Sequence, residues 1–141
     1  MSKRYTLILT LFVLIVFLIS CAPSTKQVLG TNESQLKLRS IQTRYFDTTD
    51  KNKMLRTVIA TLQDLEFIID KADSDLGTVS ATKLNRYNLR MTVVVKERGE
   101  SQLLVRANAQ YNITPVEDPE PYQQFFDSLS KAIFLTAHQV D

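Results

Sequence analysis

The stretch LRMTVVVKERGESQLLVRANAQY, residues 89–111, decides the fold of this chain. Its first part alternates apolar and polar side chains, and after the turn ERGE at 97–100 the same alternation runs back from Leu103 to Tyr111. A period of two is typical of a strand with one buried face. Two such strands joined by a short turn form an antiparallel hairpin, so the sequence predicts an antiparallel sheet with one face against a core.

Two helices are predicted to supply that core. The first follows the capping residues at 47–50, and its apolar side chains recur at helical spacing; they are Met54, Leu55, Val58, Ile59, Leu62 and Leu65. The second begins near Asp118 and Pro119, with a core-facing stripe made of Tyr122, Phe126, Leu129, Ile133 and Ala137.

A first strand is predicted from Arg39 to Phe46, with Ile41, Thr43 and Tyr45 on one side and Gln42, Arg44 and Phe46 on the other. Further short strands are predicted at Phe67–Ile69 and at Thr78–Lys83, with Gly77 in positive φ closing the turn before the last of these and a polar connection from Leu84 to Asn88 after it. The order of elements is therefore β-α-β-β-β-β-α. It predicts an α+β fold, a two-layer sandwich with both helices on one face of an antiparallel sheet.

The N-terminal segment has the features of a secretory signal. Lys3 and Arg4 precede an apolar run from Thr6 to Ile19, whose length of about 14 residues suits a signal peptide, while a transmembrane helix needs about 20. The run ends at a small residue followed by the only cysteine of the chain, Cys21.

Leu18, Ile19, Ser20 and Cys21 resemble, position by position, the lipobox of bacterial lipoproteins. The resemblance implies a signal peptide over 1–20 that is cleaved, a diacylglycerol group on the Cys21 sulfur, and an acyl chain such as palmitate on the new amino group. Ala22 resembles the outer-membrane sorting pattern, so the expected location is the periplasmic side of the outer membrane rather than the inner membrane. The alternative is an uncleaved signal anchor or an ordinary buried cysteine.

Loss of the signal changes the composition of the mature chain. The whole sequence has 17 basic and 15 acidic residues, and removal of Lys3 and Arg4 leaves 15 of each. The electrostatic argument for nucleic-acid binding then disappears. With Cys21 lipidated, His138 the only histidine and the three glycines isolated, we expect neither an enzyme nor a metal site, and no cofactor besides the lipid.

Residues 21–38 are predicted to be the lipidated cysteine and a flexible tether, because Pro23, Gly30 and many small polar residues give no sustained period. Residues 39–141 are predicted to form one periplasmic domain.

Two surfaces of this domain are candidate partner-binding sites. Alternation assigns to the open sheet face the residues Gln42, Arg44, Arg90, Val94, Leu104, Arg106 and Gln110. The last helix carries apolar residues beyond its core stripe, namely Phe125, Phe134 and Leu135. The alternative for the sheet is an ordinary solvent-facing surface, since single exposed apolar residues are common.

A family resemblance lies in the segment Leu62-Gln63-Asp64-Leu65-Glu66-Phe67, followed by Ile69, Asp73, Gly77, Val79 and Ala81. It resembles the helix-strand-turn-strand segment of the helix-grip domains in the lipoprotein C component of the outer-membrane β-barrel assembly machinery, and of uncharacterised proteobacterial lipoproteins. Glu66 occupies a position where such sequences often have glycine. The resemblance implies a helix-grip-like fold.

These observations lead to two hypotheses of function. The first is a lipid-anchored periplasmic domain that binds another envelope protein, as a non-enzymatic accessory subunit of an outer-membrane assembly or transport complex. The alternative is a carrier or sensor of a small apolar ligand, held in a cavity between the last helix and the sheet. The residues expected to line that cavity, which would equally serve as solid core, are Met91, Tyr111, Tyr122 and Phe126.

Overall fold

The computed structural model describes the backbone of residues 34–85 and 87–138. The described residues from Leu36 to His138 belong to one compact unit. The predicted signal peptide, Cys21 and the tether up to residue 33 lie outside the described residues, and so do the side chains of Ala137 and His138. In the described part of the chain, no helix is long and apolar enough to cross a membrane.

The element order confirms the predicted α+β class. The elements are α1 (residues 34–41), β1 (Thr43–Phe46), α2 (Lys51–Asp64), β2 (Ile68–Asp73), β3 (Thr78–Asn85), β4 (Tyr87–Arg98), β5 (Gln102–Tyr111), β6 (Thr114–Pro115) and α3 (Glu120–His138). The strands form one antiparallel sheet in the order β1-β5-β4-β3-β2. The short strand β6 pairs with the last residues of β5, after the part of β5 that pairs with β1. Side chains of α2 and α3 share a single core with one face of this sheet, as a two-layer sandwich requires.

The hairpin of β4 and β5 supplies the centre of that core. Val93 lies opposite Ala107 and Val95 opposite Val105, and all four are at most 1% exposed. Burying a valine or leucine side chain contributes about 1.5–3 kcal/mol to the stability of the fold. This hairpin is therefore the main apolar surface against which the helices pack. The alternation read from residues 89–111 is confirmed.

Helix α2 has defined caps at both ends. The Asp50 carboxylate accepts from the Lys53 N–H at 2.8 Å, which starts the helix as predicted. At its end the Phe67 N–H donates to the Leu62 carbonyl at 2.9 Å and the Glu66 N–H to the Gln63 carbonyl at 2.9 Å. This is a Schellman motif, and it places Glu66 in the left-handed region at φ 66°. Glycine adopts this conformation without steric cost, whereas glutamate does not.

The beginning of the domain differs from the sequence prediction. A strand was expected from Arg39, but residues 39–41 are helical and β1 begins only at Thr43. Leu38 and Ile41 of α1 pack against the core, so the last residues of the predicted tether belong to this helix. The polar connection expected between β3 and β4 is also shorter, because Asn85 pairs directly with Tyr87.

Candidate interaction face of the sheet

The side of the sheet opposite the helices carries the alternate side chains that point away from the core. We call it the outward face. Its residues on β1, β5, β4 and β3 are Thr43, Tyr45, Gln102, Leu104, Arg106, Asn108, Gln110, Asn88, Arg90, Thr92, Val94, Lys96, Arg98, Thr78, Ser80, Thr82 and Leu84. The outward face is a mixed surface in which apolar and cationic side chains stand beside one another.

Most residues that the sequence assigned to this face lie on it. Arg90 is opposite Gln110, and Val94 is opposite Arg106, on the central strands β4 and β5. Leu104 lies between Tyr45 of β1 and Lys96 of β4. Val94 and Leu104 are half-buried by their neighbours, whereas the arginines are exposed.

The assignment of Gln42 and Arg44 to this face is wrong. Gln42 is buried, and its Nε2 donates to the Tyr122 hydroxyl at 3.2 Å. Arg44 lies opposite the buried Val105, and its guanidinium is 5.2 Å from the centroid of the Phe126 ring. Phe46 likewise packs against the core, although alternation from Ile41 placed it outward.

The error has a physical cause. A shift of one residue moves every side chain of a strand to the other face. The strand TRYF has only four residues and no clear apolar contrast between its two sides. The prediction of which side chains face the core was therefore based on Ile41. That residue belongs to α1 and does not continue the pairing.

Two residues beside Leu104, the aromatic Tyr45 and the basic Arg98, were not predicted on the outward face. Tyr45 is 50% exposed, and the Cζ of Arg98 lies 3.9 Å from the centroid of its ring, a cation–π geometry. Lys96 follows the predicted alternation of β4, and Arg98 continues it into residues 97–100, which were predicted to be a turn. Following the period of two to the end of β4 would have found Arg98, while Tyr45 required the register of β1.

Lys96, Arg98 and Arg106 form a group that we call the basic patch. Lys96 and Arg106 are diagonal neighbours across β4 and β5, a relationship that separates side chains by about 7–8 Å. The Arg106 Nε donates to the Thr43 Oγ1 at 3.4 Å. Two β1 side chains, Thr43 and Tyr45, therefore hold the two arginines in place.

Basic side chains predominate on the strands that carry the basic patch, since none of the outward residues that the structure describes on β1, β3, β4 and β5 is acidic. Acidic residues flank this end of the sheet, where Asp47 accepts from the Gln102 Nε2 at 2.6 Å and Glu97 and Glu100 lie near Arg98 in the sequence. On the edge strand β2, the Asp70 carboxylate accepts from the Thr82 Oγ1 at 2.6 Å. Guanidinium groups bind planar anions such as carboxylates with two parallel hydrogen bonds, so this arrangement is suited to an anionic partner.

The predicted helix surface is only partly available. Phe125 is fully buried at 0% exposure, and its ring contacts that of Phe126 edge to face at 5.1 Å. Its assignment to a partner-binding surface is therefore wrong, because the residue is part of the core. Phe134 and Leu135, in the last turns of α3, are 61% and 62% exposed.

The residues proposed to line an apolar cavity do not surround one space. Met91, Tyr122 and Phe126 are at most 2% exposed within the core, whereas Tyr111 is 40% exposed. Tyr111 lines a cleft of about 260 Å³ with Leu65, Phe67, Lys83, Leu89, Asp118, Glu120, Pro121 and Gln124. Another groove, of about 320 Å³, lies between α2 and the β2–β3 end of the sheet, where Leu55, Ile59 and Val79 form apolar walls beside Arg56 and Asp73.

Among residues 34–85 and 87–138, no group of three or more His, Cys, Asp or Glu side chains is arranged to hold a metal ion. Cys21, the one cysteine of the chain, precedes the first of these ranges. The chain matches no protein-family model, and no curated protein is significantly similar to it in sequence.

Proposed function

We propose that this protein is a lipid-anchored periplasmic domain that binds another envelope protein through its outward face, as a non-enzymatic accessory subunit of an outer-membrane assembly or transport complex. The observation that carries the proposal is the combination, on a sheet face that none of the described helices covers, of half-buried Val94 and Leu104 with Tyr45 and Arg98, whose guanidinium lies over the tyrosine ring. Tyrosine and arginine are the side chains most enriched where a partner binds tightly.

The arrangement around Leu104 resembles the anatomy of a protein interface. Leu104 and Val94 give an apolar centre on neighbouring strands, and Asn108 and Gln110 add polar side chains further along β5. An interface of this kind buries apolar groups at its centre and keeps polar groups at its rim. The exposed end of α3, with Phe134 and Leu135, is the second surface that such a partner would cover.

Attachment to the membrane is supported by the lipobox-like sequence ending at Cys21. Two acyl chains give stable anchoring where one is marginal. Cys21→Ser should therefore abolish labelling by radioactive palmitate and release the protein from the membrane fraction, while Ser24→Ala should change neither. Membrane retention of the Cys21→Ser variant would contradict the anchor.

Partner binding can be tested by photo-crosslinking in intact envelopes. A photoreactive amino acid at Asn108 reports on the outward face, and one at Gln63 reports on the exposed side of α2. At native expression, Asn108 should give a crosslink to one envelope protein that co-purifies stoichiometrically, and Gln63 should not. Recovery of the lipoprotein alone, or equal crosslinks from both positions, would count against the proposal.

A second candidate function is the carriage of a small apolar ligand. The groove between α2 and the β2–β3 end favours it, because about 320 Å³ with walls of Leu55, Ile59 and Val79 is at the lower end of the range for ligand sites. This groove is not the one expected next to the last helix. Native mass spectrometry of the full mature chain would reveal a bound lipid as added mass, and repeated absence of added mass would argue against a carrier.

A further inference from the structure

We propose that the partner presents an acidic protein segment, and that this segment binds on the basic patch with an apolar side chain seated on Leu104. The inference rests on the proposed function, because it names the chemistry of the partner at the outward face. It follows from the three cations of the basic patch that lie around half-buried Leu104. It also follows from the contacts that Tyr45 and Thr43 make to the two arginines.

The first argument is that the arginines are ordered before a partner arrives. Arg98 is stacked on Tyr45 at 3.9 Å, and the Arg106 Nε is bonded to the Thr43 Oγ1 at 3.4 Å. Fixing a long side chain on binding costs about 0.5–1.5 kcal/mol. Part of that cost is already met here, and both arginines are exposed.

The second argument is that charge is separated within a neutral chain. The mature sequence has equal numbers of acidic and basic residues, yet the described outward residues of the four strands β1, β3, β4 and β5 include several cations and no carboxylate. The carboxylate that reaches this face from β2 is that of Asp70, which accepts from Thr82, and Thr82 lies opposite Arg90 at the far end of β4 from Arg98. Three further acidic residues, Glu117, Asp118 and Glu120, lie near the start of α3. A local positive field attracts anionic partners and speeds their association.

The third argument favours a protein segment over a lipid surface. Leu104 lies between Lys96 and Tyr45 on adjacent strands. A molecule that contacts both Leu104 and the neighbouring cations must therefore carry an apolar group and anionic groups side by side. A peptide segment with Asp or Glu beside an apolar residue does so. Lipid headgroups offer phosphates, but their acyl chains lie below the headgroups and do not reach a half-buried residue within a sheet face.

The test uses the photoreactive amino acid at Asn108 in the full-length lipoprotein, in native envelopes. Arg98→Glu combined with Arg106→Glu should lower the yield of the partner crosslink by about tenfold or more, because like charges then face each other. The matched control is Lys37→Glu combined with Arg39→Glu, which reverses two charges at exposed positions of α1, outside the outward face; it should leave the yield nearly unchanged. Thermal unfolding of each purified variant verifies that the fold is retained.

The crosslinked segment of the partner is then identified by mass spectrometry. We expect a segment rich in Asp or Glu, and exchange of its carboxylates for lysine should restore the crosslink to the Arg98→Glu, Arg106→Glu variant. A partner whose crosslink is insensitive to these charge reversals, or whose crosslinked segment is not acidic, would overturn this inference and leave the proposed function standing. A crosslink to phospholipid in place of a protein, or no crosslink at all, would overturn both.

Discussion

The side-chain amide of Gln42 donates to the Tyr122 hydroxyl at 3.2 Å, joining two residues that are 80 positions apart. The same hydroxyl accepts from the Ala109 N–H at 3.2 Å and donates to the Val116 carbonyl at 2.8 Å. The Tyr122 hydroxyl therefore bonds to β5 between the residues that pair with β1 and those that pair with β6. It also connects Gln42, just before β1, to helix α3.

Tyr122→Phe should lower the free energy of unfolding by about 2 kcal/mol, because it leaves buried donors and an acceptor without their partner while keeping the ring in place. Denaturant unfolding measures the change. Tyr45→Phe is the control, since Tyr45 is half-exposed and should change stability by less than about 0.5 kcal/mol. Equal effects of the two variants would show that the buried hydroxyl contributes nothing.

Glu66→Gly should stabilise the protein by about 1 kcal/mol, because Glu66 has a φ of 66° at the end of α2 and glycine adopts that conformation without steric cost. The substitution also removes an ion pair with Lys83 at 3.0 Å, but Glu66 is 80% exposed there, and such pairs contribute little.

Glu66→Ala separates these two effects, since it removes the ion pair but retains the unfavourable conformation. Its melting temperature should lie at or slightly below that of the unmodified protein. If Glu66→Ala stabilised as much as Glu66→Gly, backbone conformation would not be the cause.

Gly77→Ala should be far more destabilising than Gly99→Ala, although both glycines have positive φ. A Cβ at Gly77 would lie 2.5 Å from the Val95 carbonyl oxygen and 2.6 Å from the Cε of Lys51, whereas a Cβ at Gly99 meets nothing within 4 Å.

Gly99→Ala should cost about 1 kcal/mol from its conformation alone, and Gly77→Ala at least about 2 kcal/mol more, because backbone must move. Parallel urea titrations of the two variants measure the difference. A difference below about 0.5 kcal/mol would be incompatible with the close approach of β4 to this turn.

Thr61→Val should raise the free energy of unfolding by about 1 kcal/mol. Thr61 is 1% exposed, and its Oγ1 has no hydrogen-bond partner among the described residues, so replacing the hydroxyl by a methyl group of similar size removes an unpaired buried polar group. Thr57→Val is the control, because the Thr57 Oγ1 donates to the Lys53 carbonyl at 2.9 Å. Stabilisation by Thr57→Val but not by Thr61→Val would contradict the prediction.

Features that depend on neighbours in the chain were predictable. The β4–β5 hairpin follows from strict alternation, and α2 follows from an apolar stripe with Asp50 at its start. Gly77 was expected in positive φ and has it. Each of these features is determined by contacts within a few residues, where periodicity and turn chemistry apply.

Features that depend on long-range strand pairing were not predictable from the sequence. The direction of β1 decides that Tyr45 faces outward and Gln42 inward, and it is imposed by pairing with β5 and by the Tyr122 hydroxyl. The residues TRYF do not by themselves favour the burial of either face of β1. The same pairing brings Thr43 to Arg106 and Tyr45 to Arg98, so these two contacts to the basic patch exist only in the folded sheet.

The sequence by itself thus determined the class of fold, the hairpin at its centre and the parity of β4 and β5, because hydrophobic periodicity requires only local information. The tertiary structure decided which residues of β1 reach the outward face and that Phe125 belongs to the core. It also decided that Lys96, Arg98 and Arg106 surround Leu104. The physical reason is that a short strand takes its face and register from the partner it pairs with, and that partner lies far away in the sequence.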